Sequence, residues 1–581
     1  MCGVNGIISF NEQKPNKIVS GLKKMVSATE HRGPDLTETK HLKHAALGYQ
    51  RLAIVSPNSH SGIWKSDDHS KFTMLNGEIV NHRRLKQQLN LPEDMSDSGL
   101  VLPLVQEYGH KRFVDHIHGM FAIIHYDEQK REVHLTRDQL GVKPLYYYFK
   151  NGLLIFSSEI KAIVSYLDEM PELRFSSIDS ILTHRFNPDR QTVHKDIYRV
   201  LPGEQVVFNK NGISRRLYWQ RRKNVKESND EIDAAAQDIG QVFTKVMDEN
   251  IDSDAPGGFF TSGGLDSSLT TSMALNNSRN INYRTPITLS FLPTQVEDER
   301  YCRILESYFG LEFSWIAITD DLARTTLEKL VPFLDEPLEN PTHIGTYLMA
   351  ERAKELGVKS VITGDGSDEI FVGYSRHQAW VDNISTSRTP PKLSVTFTEE
   401  TKKSIYKDGV SDLLVPITDN EDQEIFPIIN IDQALEFERG YRLPEYHNMR
   451  VDRMTMAHGV EAKVPFMDSR LVDATSNYSS AFHHGIDGKQ ILKRIAEPYL
   501  PKELIYRKKD IFPSQTNQWT RGDGKQWSQD ILLNPSAKIS QWVDQSKLEM
   551  QLKKHYDNST SLGREIWALV TLELWLQNIS N

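Results

Sequence analysis

Three pairs of short apolar segments, each pair joined by a tight turn, dominate the first 220 residues and favour an antiparallel sheet structure there. The pairs are MFAIIHYD with KREVHLTRD, LYYYF with LLIFSS, and EQVVF with ISRRLYW. Two of the turns contain Asn-Gly, the strongest short-range signal for a β-hairpin. Because a hairpin joins antiparallel strands, this part of the chain is predicted to be rich in antiparallel sheet.

The pattern changes after QRRKNVKESNDE, a polar stretch with few apolar residues that we interpret as a linker. Beyond it, helical patterns such as EIDAAAQDIGQVFTKVMDENI alternate with short apolar strands such as KSVIT. This alternation is typical of an α/β domain with a mainly parallel sheet. We therefore predict a first domain at residues 2–210, a linker at 211–230 and a second domain at 231–581.

Charge and cysteine content exclude several classes of protein. The chain has 581 residues, long enough for more than one domain, and a net charge of −9, which does not favour nucleic acid or an anionic membrane as a partner. Its two cysteines cannot form a disulfide framework, and no CxxC pair is present for zinc. Without a long apolar run or a signal segment, the sequence predicts a cytoplasmic enzyme.

Cys2 follows the initiator methionine, which is normally removed before a small residue. A terminal cysteine carries a thiol and a free α-amine, whose unperturbed pKa of about 7.7–8.0 suits a general base. A nucleophile with its own base is one route to covalent catalysis. On position alone, Cys2 is either such a nucleophile or a cysteine there by chance.

The stretch PGGFFTSGGLDSSLTTSMAL is predicted to be a strand, a glycine- and serine-rich loop at residues 262–268, and a helix. Backbone amides at a helix N-terminus make a phosphate site, although the Walker pattern is absent. Asp266 would repel a phosphate unless a divalent cation lay between them, which suggests Mg²⁺. The alternative is a plain turn with a serine cap. The loop resembles that of the ATP-pyrophosphatase family, which adenylates substrates and releases pyrophosphate.

Two further stretches support a nucleotide site. KSVITGDGSDEIFVGY is predicted to be a strand, an acidic glycine-rich loop and the start of a helix, and such a loop lies where α/β sheets bind ligands. Lys489 and Lys493 stand at helical spacing, and a lysine there could neutralise leaving pyrophosphate. The alternative for each lysine is a solvated helix face.

Four segments of the first domain could bind glutamine: HRGPD, GYQRLAIV, LNGEIVNH and MSDSG. Arg51 is suited to a carboxylate, because arginine pairs with carboxylates in a bidentate manner. The Asn76 side chain and the Gly77 N–H could form an oxyanion hole, and Asp97 could hold the substrate ammonium. Taken singly, Asn-Gly is usually a turn and Arg51 a surface ion pair.

Taken together and in order, MCGVNG, HRGPD, QRLAIV, NGEI, GMFA, RDQLGVKPLYY and FSSEIKA resemble the class II, or N-terminal-nucleophile, glutamine amidotransferases. With SGGLDSS, GDGSDE and DRMTMAHGVEAKVPFMD, the chain from Met1 to about Trp519 resembles the glutamine-hydrolysing asparagine synthetases. The resemblance implies an N-terminal αββα sandwich of antiparallel sheets. It also implies a C-terminal α/β domain, similar to adenine-nucleotide α-hydrolases, with a mainly parallel sheet and a helical tail.

The resemblance implies a reaction. Cys2, as the mature N-terminus, would form a thioester with L-glutamine, and the ammonia would pass through an internal tunnel. ATP and Mg²⁺ would convert the β-carboxylate of L-aspartate to an acyl-adenylate, from which ammonia displaces AMP to give L-asparagine. A homodimer is one assembly that the resemblance allows.

The resemblance also assigns residues to these steps. The implied catalytic residues are Cys2, Asn76, Gly77 and Asp365, and the implied glutamine-binding residues are Arg51, Asn76, Gly77, Glu78 and Asp97. Those implied for ATP and pyrophosphate are Ser262, Gly263, Gly264, Leu265, Asp266, Ser267, Ser290, Thr363, Gly364 and Lys489, with Asp266 and Asp368 at the metal.

Four positions depart from the family pattern. Asp365 replaces the glutamate common in GEGxDE, and GDG versions occur in relatives whose acceptor is not aspartate. Gly99 stands where an acidic residue often follows the Ser-Asp of MSDSG. Lys463 replaces the arginine usual in ExRxPF, and Val4 replaces an isoleucine.

The acceptor is the least determined part of the function. Arg450, Arg453, Asp335 and Glu336 could bind the charged groups of aspartate, or they could pair with each other. One alternative keeps the mechanism but amidates another carboxylate, in a polysaccharide or a secondary metabolite. Another is ring closure similar to that of β-lactam synthetase, and the last is a non-enzymatic glutamine-binding protein. Cys2 and the intact glutamine anchors argue against the last two.

Overall fold

The structure is a computed structural model that describes residues 2–11, 15–57, 62–188, 190–221, 232–277, 282–291, 297–377, 380, 396–410, 431–485, 488–507 and 515–580. Within these ranges, no helix is both long enough and apolar enough to cross a lipid bilayer.

The first part of the chain forms two six-stranded antiparallel sheets packed face to face. Their orders are β10-β8-β9-β1-β3-β2 and β12-β11-β7-β6-β5-β4. All three hairpins predicted from the sequence are confirmed as β6 with β7, β8 with β9 and β11 with β12. The strands are β1 (Cys2–Ser9), β2 (Leu36–His41), β3 (Ala45–Arg51), β4 (Trp64–Lys65), β5 (Lys71–Ile79), β6 (Gly119–Asp127), β7 (Glu132–Arg137), β8 (Tyr146–Lys150), β9 (Leu153–Ser157), β10 (Ile197–Arg199), β11 (Glu204–Asn209) and β12 (Gly212–Leu217).

Helices cover the outer faces of both sheets. Because strand side chains alternate, Val4 and Ile8 of β1 face Ala122 and Ile124 of β6 in the core between the sheets. One helical layer packs its apolar residues on the first sheet, and the other covers the second sheet. This confirms the predicted αββα sandwich. The helices are α1 (Pro15–Ala28), α2 (His82–Gln88), α3 (Val101–Arg112), α4 (Ile160–Tyr166) and α5 (Phe175–His184).

The first sheet system extends further along the chain than the predicted domain boundary at residue 210. Strand β12 pairs with β11 from Gly212 to Leu217, so these residues belong to the sandwich rather than to a linker. The hairpin signal at Asn211-Gly212 outweighs the polar composition that suggested a linker there. The rest of the predicted linker, from residue 222, lies outside the described residues.

The second part of the chain contains a five-stranded parallel sheet in the order β15-β14-β13-β16-β17, as predicted. Strand order reverses between β13 and β16, and ligands bind at the carboxyl ends of strands at such a point. The strands are β13 (Gly257–Phe260), β14 (Tyr283–Phe291), β15 (Ser314–Ile318), β16 (Ser360–Ile362) and β17 (Glu461–Lys463).

Helices surround this sheet and form the tail. The last helix buries Trp567 and Trp575 in a cluster that also contains Ile178 and Leu182 of α5, so the tail packs against both parts of the chain. The helices are α6 (Ile232–Asn250), α7 (Leu265–Leu275), α8 (Glu297–Phe309), α9 (Asp320–Leu330), α10 (Thr342–Glu355) and α11 (Ser367–Phe371), followed by Glu399–Ile405, Ile431–Phe437, Met449–Met456, Ser469–Thr475, Ser480–His484, Gln490–Ala496, Lys502–Ile505, Thr516–Trp519, Gly524–Leu532, Gln545–Tyr556 and Gly563–Ser580, with a π-helical turn region at Glu438–Asn448.

Buried ion pairs join the two domains. Arg32 contacts Asp452 with nitrogen–oxygen distances of 2.8 and 3.1 Å. Arg199 contacts Glu336 at 2.6 Å and Glu445 at 2.8 Å. A buried pair contributes little net stability, but removing one partner leaves an uncompensated charge. These pairs therefore fix how the domains dock.

Candidate active sites

Cys2 begins β1 and is paired with Arg51 at the end of β3. Its thiol is buried, with the side chain only 5% exposed, and it lines a small pocket together with Arg51, Gly77 and Asp97. Residues from strands β1, β3 and β5 and from the turn at Asp97–Leu100 thus line one pocket. Pairing between sheet strands brings together residues far apart in the sequence.

The side-chain amide of Asn76 uses its oxygen in a hydrogen bond, whereas its nitrogen can still donate one. Its Oδ1 accepts a hydrogen bond from the Cys2 backbone nitrogen at 3.1 Å. Its Nδ2 is buried and has no hydrogen-bond partner among the described residues. A buried donor without a partner is costly, so such groups usually have a function. An oxygen atom bound beside the Cys2 sulfur would satisfy it.

Gly77 adjoins this donor in β5, with a backbone φ of +133°. A Cβ atom there would collide with the carbonyl oxygen of Met120 on β6. Only glycine combines this φ with such a close approach, which leaves the pocket side of the strand open.

Arg51 and Asp97 occupy the pocket wall but differ in their partners. Arg51 donates from Nη2 to the carbonyl oxygens of Val55 and Ser56 at 3.1 and 2.8 Å, which fixes the loop after β3. Asp97 accepts a hydrogen bond from the Ile79 backbone at 3.0 Å, and burial raises the pKa of its carboxyl. The two side chains supply one cation and one carboxylate to the pocket, as an amino acid requires.

Glu78 reaches the pocket, but a lysine from the second domain holds one of its oxygens. Lys463 on β17 donates to Glu78 Oε1 at 2.9 Å and to the carbonyl oxygen of Asn250 at 2.8 Å. Burial by itself lowers the pKa of Lys463. The nearby carboxylate of Glu78 has the larger effect in sum, so the pKa of the lysine is raised. Burial also raises the pKa of Glu78 to about 7, against the influence of Lys463.

Tyr49 and Glu461 are among the pocket residues that the sequence analysis missed. The Tyr49 hydroxyl lies 2.8 Å from Cys2 Sγ and 2.9 Å from the carbonyl oxygen of Leu75. Glu461 of β17 also lines the pocket. Both lie two positions from residues already considered, Arg51 and Lys463, and residues i and i+2 of a strand share a face. The alternation of side chains between the two faces of a strand is therefore the sequence signal that indicates Tyr49 and Glu461.

We predict that Lys463→Met lowers the free energy of unfolding by roughly 3–5 kcal/mol, because the buried Glu78 carboxylate loses its counter-charge. The double variant Glu78→Gln/Lys463→Met should recover most of this loss. Urea unfolding of Lys463→Met, Glu78→Gln, the double variant and the wild type measures the coupling. Equal instability in the single and double variants would show that Glu78 is not the group left unpaired.

The loop after β13 contains the residues predicted to bind pyrophosphate. The Ser267 hydroxyl accepts a hydrogen bond from the Ser262 backbone at 3.1 Å and lies 3.2 Å from the Ser262 hydroxyl. Gly263 has a φ of +70°, and Gly264 is the residue before α7. The α7 N-terminus, beginning at Leu265, therefore points its free backbone amides out of this loop, an arrangement suited to an anion.

Lys489 meets this loop from another part of the chain. It lies directly before helix Gln490–Ala496, and its ammonium is 2.5 Å from Asp266 and 2.6 Å from Asp368. Burial opposes its charge, but the two carboxylates outweigh burial and raise its pKa. Lys489 is thus a buried, permanently charged cation at the end of the loop.

The loop after β16 packs directly on the loop after β13, as the strand order requires. A Cβ on Gly364 would lie 2.7 Å from the Ser267 backbone nitrogen, so the two loops touch. Thr363 is buried and donates its backbone N–H to the carbonyl oxygen of Lys463 at 3.1 Å. Ser290 lies near the carboxyl end of β14, the neighbouring strand.

Asp365 pairs with Arg450, whose other terminal nitrogen donates to the Thr346 hydroxyl at 3.1 Å. Both side chains are partly exposed beside the Gly364 loop. Of the four suggested acceptor residues, Arg450 is the one that lies at this site, and its partner Asp365 was suggested as a catalytic residue.

The other suggested acceptor residues are engaged elsewhere, which corrects that expectation. Arg453 pairs with Asp335 and also contacts Asp452, while Glu336 pairs with Arg199. All of these side chains are buried between the two domains. The charges pair with each other, which is the alternative that the sequence left open.

The donors around Lys489 suit Mg²⁺. Asp266 and Asp368 place two carboxylates at the Lys489 ammonium, and the Ser367 hydroxyl donates to Asp266 at 2.9 Å. Mg²⁺ prefers oxygen ligands, and proteins usually supply one or two carboxylates while substrate phosphates complete the set. The residues present therefore fit the metal.

Comparison with known proteins gives a family match for each of the two domains. The family described as "Asparagine synthase" matches residues 238–577, and a family described as "Glutamine amidotransferase domain" matches residues 1–219. The first match extends through the helical tail, beyond the resemblance seen in the motifs alone.

Individual relatives are distant but match over nearly the whole chain. The chain is 24% identical to "Asparagine synthetase [glutamine-hydrolyzing] 1" of Bacillus subtilis, covering 99% of this chain and 96% of the relative. It is 22% identical to "Amidase chyE" of Penicillium rubens, covering 97% and 96%. A solved structure titled "Structure of the allosteric regulatory enzyme of purine biosynthesis" covers 54% of this chain and 80% of its own, at 16% identity and a TM-score of 0.29.

The family match covers more than half of the chain and ends at the tail that packs on both domains. The chain belongs to the asparagine synthase family of carbon–nitrogen ligases, with a glutamine amidotransferase domain preceding the synthase domain.

Proposed function

We propose that this protein hydrolyses L-glutamine at Cys2 and transfers the ammonia to an acyl-adenylate of L-aspartate, forming L-asparagine, AMP and pyrophosphate. The first half is supported mainly by Asn76, whose Nδ2 has no hydrogen-bond partner among the described residues and whose Oδ1 accepts from the Cys2 backbone nitrogen. The second half is supported by the contact between the two strand-end loops around Lys489.

In the first step, the Cys2 thiol attacks the amide carbon of glutamine. Its own α-amine, freed when the methionine is removed, takes the thiol proton and gives it to the leaving ammonia. The negative oxygen formed in this step accepts hydrogen bonds from Asn76 Nδ2 and the Gly77 N–H. Arg51 binds the glutamine carboxylate, and Asp97 with Glu78 binds its ammonium. Water then hydrolyses the thioester to glutamate.

The ammonia needs a route without water, because protonation would remove its nucleophilic electron pair. Apolar side chains from both domains pack together next to the glutamine site. Met120, Leu140 and Val142 of the first domain share one cluster with Ile362 and Val464 of the second. We propose that ammonia passes along this apolar interface as the neutral molecule.

In the second site, the acceptor carboxylate attacks the α-phosphorus of ATP, and pyrophosphate leaves. Lys489 and the amides of the loop at residues 262–268 stabilise the leaving pyrophosphate. Asp266 and Asp368 would hold Mg²⁺, which would supply further neutralisation of the phosphate charge. Thr363 and Gly364 lie beside the adenylate, and ammonia displaces AMP from it.

The Arg450–Asp365 pair supports an amino acid as the acceptor. Its cation can bind an α-carboxylate and its anion an α-amine, and both are partly exposed beside the Gly364 loop. A site built to pair charged groups rejects analogues that lack them, because its own groups are then left unpaired.

We predict that, among L-aspartate, L-glutamate, succinate and β-alanine at equal concentration, L-aspartate gives the fastest AMP release. Glutamate should be about 10–200-fold poorer, as expected for one methylene. With L-aspartate as the acceptor, amidation releases one glutamate from glutamine for each AMP. Ring closure and simple glutamine binding do not release glutamate in step with AMP. Succinate matching aspartate would contradict the amino-acid acceptor.

A second acceptor class is a carboxylate on a larger molecule. It is favoured by the finding that Arg453, Asp335 and Glu336 are held between the domains, which leaves one charged pair at the site. Incubating the enzyme with glutamine, ATP and a panel of carboxylic acids, with products identified by mass, distinguishes the two.

A further inference from the structure

Three histidines meet on the outer face of the second sheet, on the side away from Cys2. His125 of β6 and His134 of β7 lie opposite each other in the sheet, and His110 approaches from the end of α3. One nitrogen from each ring lies within 4.8 Å of the other two. The His110 and His134 rings are stacked with centroids 4.0 Å apart, and the His125 ring lies 4.4 Å from His110.

The backbone directs His110 towards the sheet. Gly109, one residue earlier, has a φ of +75°, which interrupts the helix. The carbonyl oxygen of His110 accepts a hydrogen bond from Gln205 of β11 at 3.1 Å. The end of α3 is therefore tied to the same face of the sheet that carries the other two rings.

Most ring nitrogens of this cluster lack partners. His110 Nδ1, both nitrogens of His125 and His134 Nδ1 are buried and have no hydrogen-bond partner among the described residues. His125 and His134 are only 2% and 7% exposed. Buried polar atoms are nearly always hydrogen-bonded, so four orphaned nitrogens within one cluster require an explanation.

The remaining nitrogen of His134 is oriented by a carboxylate. Glu132 Oε1 lies 2.9 Å from His134 Nε2, which leaves Nδ1 directed at the cluster. Histidines that bind metals usually donate their second nitrogen to a carboxylate in this way.

We propose that His110, His125 and His134 bind one divalent transition-metal ion of the zinc type, a site separate from both catalytic centres. Imidazole is a preferred ligand of Zn²⁺, with nitrogen–metal distances of about 2.0–2.1 Å. Because an imidazole binds a metal in the plane of its ring, the stacked His110 and His134 rings would have to turn towards a common tetrahedral ion, and the three nitrogens would draw together by at most roughly 1.5 Å. The ion would join the end of α3 to the β6–β7 hairpin.

The site also has a structural link to the glutamine pocket. The turn Asp97–Leu100 leads directly into α3, so Asp97 and His110 lie at opposite ends of one segment. A metal at its far end would fix the segment that carries Asp97. This role is structural and does not depend on the acceptor or on turnover.

The test uses the full-length protein, freed of metal by chelation and titrated with Co²⁺ as a spectroscopic probe. We expect one equivalent to bind with the visible absorption of a tetrahedral, histidine-bound ion. Co²⁺ absorption typical of thiolate ligands would place the metal at a cysteine and overturn the proposal. Failure of the wild type to bind Co²⁺ or Zn²⁺ stoichiometrically would also overturn it.

Variants test the ligand assignment. His125→Gln and His134→Gln should abolish stoichiometric binding, whereas His194→Gln should not, since His194 is equally buried but lies outside the cluster. Glu132→Gln should weaken binding by about 10–100-fold. Glu132 is partly exposed, so this variant decides the question even if the histidine variants fail to fold. Unchanged binding in Glu132→Gln and in a folded histidine variant would contradict the proposal.

Discussion

The Cys2→Ala variant is expected to lose glutamine-dependent amidation while keeping amidation driven by added ammonia. The thiol is the only proposed nucleophile of the first site, and that site delivers nothing but ammonia to the second. Removing a nucleophile from an enzyme that acts through a covalent intermediate costs on the order of 10⁴–10⁶-fold in rate. Glutamate release and AMP release, measured in parallel with each nitrogen source, provide the comparison.

The sequence contains one further cysteine, which supplies a matched control. Cys302 is as buried as Cys2, but it lies in α8 with its sulfur 3.3 Å from the Thr288 hydroxyl. Cys302→Ser should therefore retain activity with both nitrogen sources. If a folded Cys2→Ala protein lost both activities equally, the model of two separate sites would be wrong.

Lys489→Ala should have the second large effect, a loss of synthesis with either nitrogen source by about 10²–10³-fold, the range for removing one stabilising donor. Lys489 is the buried cation between Asp266 and Asp368, and both nitrogen sources share the adenylation step. Exchange of radiolabelled pyrophosphate into ATP measures that step directly. Basal glutaminase activity should remain, because Cys2 and its pocket are unchanged.

Lys493→Ala is the matched control, since Lys493 lies one turn further along the same helix. Spacing alone left both lysines open, and the family resemblance implied Lys489, which contacts the two aspartates in the structure. Exchange at the wild-type rate in Lys489→Ala would remove this residue from the pyrophosphate site. A loss in Lys493→Ala as large as in Lys489→Ala would point to a general effect on the helix.

Local patterns predicted much of the fold. Asn-Gly turns between alternating segments gave two of the hairpins, and the strand-loop-helix pattern around residues 262–268 is present as β13, loop and α7. These signals depend on neighbours in the sequence, so one chain is enough to detect them. Placement of the two nucleotide loops side by side followed from the rule for parallel strand ends.

Contacts between distant residues could not be predicted in the same way. Arg453 and Asp335 are 118 positions apart, and nothing in their local sequence indicates that they pair. The same holds for the three histidines, which come together only through strand pairing and the break at Gly109. A charged side chain that could bind a ligand could equally pair with another buried side chain. The three-dimensional fold determines which of the two occurs.

Lys463 has a consequence for domain exchange between relatives. Its side chain holds Glu78 in the glutamine pocket, while its backbone oxygen holds Thr363 in the nucleotide site. A chimera that joined this amidotransferase domain to a synthase domain from another family member would replace one side of that connection. Recombination would keep this contact where the donor carries a cation at this position of the edge strand, or where the strand at residues 461–463 is transferred together with the first domain.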